Sequence, residues 1–435
     1  MRYLEITPTN KLRGTITVAG DKSISHRAVM LGALAQGKTT VEGFLLGEDC
    51  LNTIKAFQSL GIEIERDNTC LTIFGQGLNG LQKPGGLIDV GNSGTTMRLL
   101  LGVLAGQRFD SCLTGDESIK RRPMRRVIEP LSQMGAKIEA KEGNFAPLTI
   151  FGNPGLKPIR YLLPVASAQV KSAILLAGLF TDGVTTVIEP MSSRDHTERM
   201  LNFFGAQIIK DDFSISITGN VPLRGGRQIK IPGDISSAAF FIVAACLVKD
   251  AKIRLLNVGV NPTRIGIIDV LKKMGANITI ENQQLVCGEP VANILIKSSP
   301  LRATSIAGAM IPKLIDELPI LSVASCLATG RTEIREAKEL RVKETDRIKS
   351  MTTELNKMGA KVIEVEDGLI IEGVQRLTGA EVESYGDHRT AMSLAIAGLV
   401  AHGKTKINNI DCIQTSFPEF EQILNLWVQT SKAEL

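Results

Sequence analysis

Aromatic side chains are scarce in this 435-residue chain: Phe, Trp and Tyr together make up 4% of it. So few flat rings leave little on which to stack bases, and a formal net charge of +5 is modest for a nucleic-acid binder. Histidine is scarcer still, with four copies at 26, 196, 388 and 402, so a metal centre built on imidazole is not expected. The seven cysteines, at 50, 70, 112, 246, 287, 326 and 412, stand singly with no C-x-x-C pair. That spacing argues against a disulfide framework or a zinc site and for a reduced, cytoplasmic setting. No apolar run reaches the roughly 20 residues that cross a bilayer. The opening Met-Arg-Tyr-Leu-Glu-Ile carries an acid where a secretory leader would be apolar.

What the chain does have is core-forming material and repetition. Hydrophobic residues make up 43% of it and charged residues 22%, and its length predicts two domains of about 200 residues each. A phrase resembling Met-Gly-Ala-x-Ile recurs as LGIEI, MGAKI, FGAQI, MGANI and MGAKV, with glycines at 61, 135, 205, 275 and 359, spaced by 74, 70, 70 and 84 residues. Each copy is expected to end an amphipathic helix and enter an alternating strand closing on Gly75, Gly152, Gly219, Gly288 or Gly373. An Ala/Leu-rich helix precedes each copy, and a sixth copy of it occurs near Leu399. The sixth unit lacks closing strands, and Leu4–Val18 is expected to help complete it. Alternation of helices and strands defines an α/β (α+β) chain of six units, three per lobe.

The starts of the six apolar helices read GDKSISHR (20–27), GNSGTTMR (91–98), ASAQVKSA (166–173), GDISSAAF (233–240), AMIPKLIDELP (309–319) and GDHRTAMS (386–393). Small hydroxyls, glycine and Asp cap helices, and free N–H groups beside Lys or Arg favour anions. Repetition of that theme points to an anionic ligand.

The phrases GDKSISHRA, GNSGTTMRLL, RRPM, SAQVKSA, RVKETDR and GDHRTAM, in this order along essentially the whole chain, resemble the enolpyruvyl-transferase family. The resemblance implies a two-lobed inside-out α/β barrel of six βαβαββ units around a central cleft. One lobe would span 19–233, the other 1–18 with 234–435, joined by two hinge crossings near the Gly-Asp dipeptides. It also implies transfer of the enolpyruvyl group of phosphoenolpyruvate to the 5-hydroxyl of shikimate 3-phosphate, on the route to chorismate and the aromatic amino acids. Those two small molecules are the expected partners, with no cofactor, metal, nucleic acid or membrane, and the protein is expected to be a cytoplasmic monomer.

By the same resemblance Asp316, Glu344 and Lys22 are the catalytic candidates. Asp316 would accept the 5-hydroxyl proton, and Glu344 would handle the proton at the C3 methylene. Lys22, Ser23, Arg27, Ser167, Gln169, Asp316 and Lys343 match positions that bind shikimate 3-phosphate. Lys22, Gly94, Arg122, Gln169, Arg347 and Arg389 match those that bind phosphoenolpyruvate. Arginine suits such places because its planar fork meets carboxylate or phosphate oxygens in pairs. The spacing of Lys343 and Arg347 predicts one shared helix face with an anion between the two cations.

Three features depart from the commonest pattern. Ala168 replaces a second serine, and Thr415 stands where some members carry lysine. Arg194–Glu198, with SAQVK and Asn261–Arg264, resembles the bacterial subgroup of low glyphosate sensitivity. Two other readings stay open. One is a UDP-N-acetylglucosamine enolpyruvyl transferase, disfavoured because the loop Asp116–Pro123 holds no cysteine. The other is a nucleic-acid-binding repeat module using the basic run Lys120–Arg126.

Overall fold

The recurring glycine acts as a helix stop. Helices Glu48–Ser59, Arg125–Gln133, His196–Phe203, Gly266–Lys273 and Arg347–Lys357 each run through one capping residue into Gly61, Gly135, Gly205, Gly275 or Gly359. All five glycines have φ between +82° and +97°, a conformation a Cβ disfavours. The next residue donates its amide back five residues, Ile62 to Phe57, Ala136 to Leu131, Ala206 to Leu201, Ala276 to Leu271 and Ala360 to Leu355, at 2.9–3.1 Å. The last carbonyls of each helix are satisfied this way and the chain is turned into a strand.

This computed structural model describes residues 2–153 and 155–430. After each glycine comes a two-stranded hairpin, such as Glu63–Asp67 with Cys70–Gln76, so the one alternating strand read from the phrase is divided in two, as the closing ββ of a βαβαββ unit requires. In the fourth unit Gly288 lies in the turn between strands Asn277–Val286 and Glu289–Lys297 instead of closing a strand. The second unit shows the common plan: Ile88–Asp89 lies parallel to Ser111–Thr114, which is antiparallel to Phe145–Ile150, itself antiparallel to Ile138–Lys141. The described residues form six such sheets of three to five strands. The sheets are open, so the barrel in the expected fold is not a closed barrel of strands; the α/β repeat architecture itself is present.

The chain divides into two compact units, one of Gly20–Ile231 with Val286–Glu289, the other of Met1–Ala19, Pro232–Leu285 and Pro290–Leu435. The turn 286–289 therefore groups with the first unit, whereas the sequence places it with 234–435. Its contacts explain why: His196 Nδ1 lies 2.8 Å from Glu289 Oε1, and Arg199 donates to the Gly288 carbonyl at 3.1 Å.

Completion of the outermost sheets is divided more finely than expected. Tyr3–Ile6 pairs antiparallel with Thr405–Asn408 in the sixth sheet, but Arg13–Ile16 pairs parallel with Lys252–Gly259 in the fourth. Likewise Leu223–Arg224 and Gln228–Lys230 supply the parallel neighbours of Ala35–Glu42 in the first sheet. An open strand edge needs a partner, and segments remote in sequence provide it.

Three helices pack together at the heart of each unit: Lys22–Leu34, Gly94–Leu104 and Ala168–Gly178 in one, and Ile235–Leu247, Leu318–Cys326 and His388–Val400 in the other. They are buried nearly all round, as helices enclosed by sheets are, and their polar residues sit mostly near their starts; Ile235–Leu247 has every residue but Leu247 buried. Within the first helix His26 is buried, its Nδ1 2.6 Å from Thr53 Oγ1. Burial first, then the charges of Lys22 and Arg27, hold its pKa well below the ordinary 6.5. A folded-state pKa below the unfolded one means that the unfolded chain takes up the proton first as pH falls. This contribution to stability is complete above about pH 6.5 and fades on acidification below it. Urea midpoints of His26→Gln should therefore fall less steeply than wild type between about pH 6.5 and 4.5; parallel acid limbs would contradict this.

Candidate active site

Five of the six apolar helices are capped by a Ser or Asp side chain, of the types read at those starts. Asp21, Ser93, Ser167, Asp234 and Asp387 accept the amides of Ile24, Thr96, Val170, Ser236 and, for Asp387, both Arg389 and Thr390. The remaining start, AMIPKLIDELP, breaks into a 3-10 turn Gly308–Met310, a short helix Ile311–Leu314 and the helix Leu318–Cys326. Pro312 and Pro319 explain the break, since each opens a helix and lacks the N–H that would continue the preceding one.

In the first unit the predicted residues form two groups. Lys22 opens its helix, with Nζ 3.0 Å from Asp49 Oδ2. One turn on, Arg27 is 5% exposed, and its partners are neutral. Nε donates to Thr197 Oγ1 at 2.6 Å, NH1 to the Ser23 carbonyl at 2.9 Å and NH2 to Ser172 Oγ at 2.9 Å. Burial is the main influence on this guanidinium and lowers its pKa to about 10, against the opposing pull of Glu198 and Asp21. It is thus a cation at neutral pH, held by hydroxyls and a carbonyl.

The second group surrounds Gly94, the first residue of its helix. Arg98 NH1 donates to Gln169 Oε1 at 2.7 Å, and Gln169 Nε2 donates to Thr95 Oγ1 at 3.2 Å. Arg122 NH2 reaches Asn92 Oδ1 at 3.3 Å and Ser118 Oγ at 3.2 Å. A Cβ on Gly94 would lie 2.8 Å from Arg98 NH1 and 3.2 Å from Arg122 NH1, so the glycine keeps two guanidinium groups close to bare backbone. Ser167 caps the helix that carries Gln169, and Ala168 offers only its carbonyl, to Ser172.

In the second unit Asp316, Lys343, Glu344 and Arg347 meet directly. Asp316 Oδ1 lies 3.6 Å from Lys343 Nζ and 3.4 Å from Arg347 NH1, while Arg347 NH2 lies 2.6 Å from Glu344 Oε2. The shared helix face predicted for Lys343 and Arg347 is not there. Lys343 follows the 3-10 turn Lys338–Val342, and the helix begins only at Arg347, capped by Asp346. The carboxylate between the two cations is that of Asp316.

Arg347 is 1% exposed and also gives Nε to Asp387 Oδ2 at 2.8 Å. Burial opposes its charge, but Asp387, Glu344 and Asp316 together outweigh that and raise its pKa above the usual arginine value. Arg389 NH1 stands 3.8 Å from Glu317 Oε1, which also accepts from Ser236 Oγ. Ser236 in turn accepts from Arg264 NH2 at 2.8 Å, and Arg264 lies 3.2 Å from Asp234. A continuous chain of charge therefore runs across the starts of all three central helices of this unit.

Sequence reasoning missed Arg98, Asp49, Ser172, Thr197, Glu317 and Asp387. Arg98, Ser172, Glu317 and Asp387 lie inside quoted phrases, Thr197 lies in the run Arg194–Glu198, and the one-turn spacing of Gly94 and Arg98 was a readable signal. Asp49 lay in none of them. Thr415 is buried at the end of the 3-10 segment Ile410–Thr415. Among the described residues no group of three or more His, Cys, Asp or Glu could hold a metal ion, and no helix is long and apolar enough to cross a membrane.

Carboxylates set on buried arginines, with further cations at helix starts, suit an enzyme that handles anionic substrates. Residues 6–424 match the family described as EPSP synthase (3-phosphoshikimate 1-carboxyvinyltransferase), and the chain belongs to that family. It is 54% identical to the 3-phosphoshikimate 1-carboxyvinyltransferase of Thermoanaerobacter sp. (strain X514), covering 97% of this chain and 99% of that one. The enzyme of the same name from Brevibacillus brevis is also 54% identical, over 97% and 99% of the two chains. The 2.37 Å structure of EPSP synthase from Acinetobacter baumannii superposes with a TM-score of 0.88 at 46% identity, covering 98% of each chain.

Proposed function

We infer that the two clusters serve one reaction, the transfer of the enolpyruvyl group of phosphoenolpyruvate to the 5-hydroxyl of shikimate 3-phosphate with release of phosphate. The observation that carries the assignment of roles is the pairing of Asp316 and Glu344 on the single buried Arg347. Asp316 takes the 5-hydroxyl proton as oxygen attacks C2, and Glu344 supplies a proton to the C3 methylene. A tetrahedral ketal phosphate results, and reversal of the C3 proton transfer expels phosphate. Arg347, Arg389, Arg122, Gly94, Gln169 and Lys22 receive phosphoenolpyruvate, while Ser23, Arg27, Ser167, Gln169, Lys343 and Lys22 receive shikimate 3-phosphate. Fixing two anions among charges already in place lowers the barrier by orientation and by electrostatics that need no rearrangement.

In this reading the protein acts as a cytoplasmic monomer without cofactor, membrane or nucleic acid. Phosphate release that requires both substrates together tests it. Release with UDP-N-acetylglucosamine as acceptor, or salt-dependent nucleic-acid binding without turnover, would overturn it.

Gly94→Ala should raise KM for phosphoenolpyruvate more than KM for shikimate 3-phosphate, because the new methyl lies 2.8 Å from Arg98 NH1 and displaces it. Initial-rate kinetics with each substrate varied would show this, and equal effects on both would count against it. Residues Arg194–Glu198 support low glyphosate sensitivity; continued turnover at concentrations that stop a sensitive relative is expected, and inhibition in parallel with that relative would refute it.

A further inference from the structure

Beside Arg27 lies a buried charge cluster with no place in the chemistry above. Lys171 Nζ is 2.8 Å from Glu189 Oε2 and 2.7 Å from Glu198 Oε1, with side-chain exposures of 1%, 3% and 5%. Glu189 also accepts from Ser193 Oγ, whereas Lys171 is the sole ion-pair partner of Glu198 among the described residues. Lys171 and Glu198 are the sequence neighbours of Ser172 and Thr197, the two hydroxyls that hold Arg27 and meet each other at 2.6 Å. The helices Ala168–Gly178 and His196–Phe203 are thus bridged twice, once by charge and once by hydroxyls that carry the guanidinium. Only three of the five N–H hydrogens of Arg27 are taken, all by neutral acceptors.

A buried arginine close to a buried carboxylate would ordinarily pair with it. Here that carboxylate is Glu198, and Lys171 holds it together with Glu189. We propose that Lys171 is a positioning residue for shikimate 3-phosphate, keeping Glu198 off Arg27 so that its charge and remaining N–H groups face the ligand's anion. Arg194, another cation near Arg27, adds to the same positive field. Glu198, bound elsewhere, still favours the charged guanidinium at a distance without occupying it. The proposal rests on the reading of Arg27 as a ligand for shikimate 3-phosphate.

The test is steady-state kinetics on Lys171→Met and on Lys171→Gln, whose amide keeps a hydrogen bond if the methionine variant does not fold. Either should raise KM for shikimate 3-phosphate about tenfold, with kcat and KM for phosphoenolpyruvate changed by less than about threefold. Adding Glu198→Gln to either should return KM for shikimate 3-phosphate most of the way. A merely structural role would lower Tm and leave that KM unmoved, which overturns the proposal, as would failure of both variants to fold or absence of rescue. Arg27→Ala separates the two layers: an unchanged KM for shikimate 3-phosphate defeats the reading of Arg27 itself. A raised KM there with unaffected Lys171 variants defeats only the role of Lys171.

Discussion

Asp316→Asn should reduce coupled phosphate release by about 10²–10⁴-fold, the usual range for loss of a general base. The fold should barely register the change. Asp316 is half-buried, and its contacts to Lys343 and Arg347, at 3.6 and 3.4 Å, are long for ion pairs. Asparagine matches the carboxylate in shape, so KM values should shift far less than kcat. A rate within about twofold of wild type, measured with both substrates saturating, would remove Asp316 from the mechanism.

Arg347→Met should act on stability and activity together. The guanidinium is 1% exposed and touches Asp316, Glu344 and Asp387. Its loss leaves the fully buried Asp387 without its counter-charge, and breaking one partner from a buried ion pair costs about 3–5 kcal/mol. Asp387 also caps the helix His388–Val400 through the amides of Arg389 and Thr390, so the disturbance passes to Arg389. Urea unfolding should show the loss, and turnover should vanish with it. Arg347→Lys should recover little of either, because one ammonium cannot meet three carboxylates from a planar fork. An unfolding midpoint unchanged in the methionine variant would show that the network contributes nothing to the fold.

Legibility in the sequence follows the range of each interaction. The glycine of the Met-Gly-Ala phrase was readable because the helix stop needs only the φ of one residue and bonds reaching five residues back. The caps were readable for the same reason: Asp21 and Ser93 act on amides three residues on. Where reasoning failed, it extended a local rule past a break. The i, i+4 spacing of Lys343 and Arg347 implied a shared face, but their segment is a 3-10 turn followed by a new helix. The prolines at 312 and 319 were likewise in view, yet how they divide a buried segment depends on what packs around it.

Other features lay beyond any local rule. Nothing near Arg27 in sequence points to Ser172 or Thr197, 145 and 170 residues away. Nothing in Arg13–Ile16 says that it leaves the strand before it and joins the fourth sheet.

From its own composition and spacing the chain settles the helix stops, the capping residue types and the sixfold repeat, because each is written in residues that act on near neighbours or recur in order; the family is legible through the resemblance of its quoted phrases. Tertiary structure alone decides that Asp316 and Glu344 share Arg347, and that Lys171 holds Glu189 and Glu198. Glu344 is three residues from Arg347, but the other pairings join residues 18 to 31 positions apart on different elements. They form only where packing places the helix starts together and excludes water, so that each buried charge must find a partner.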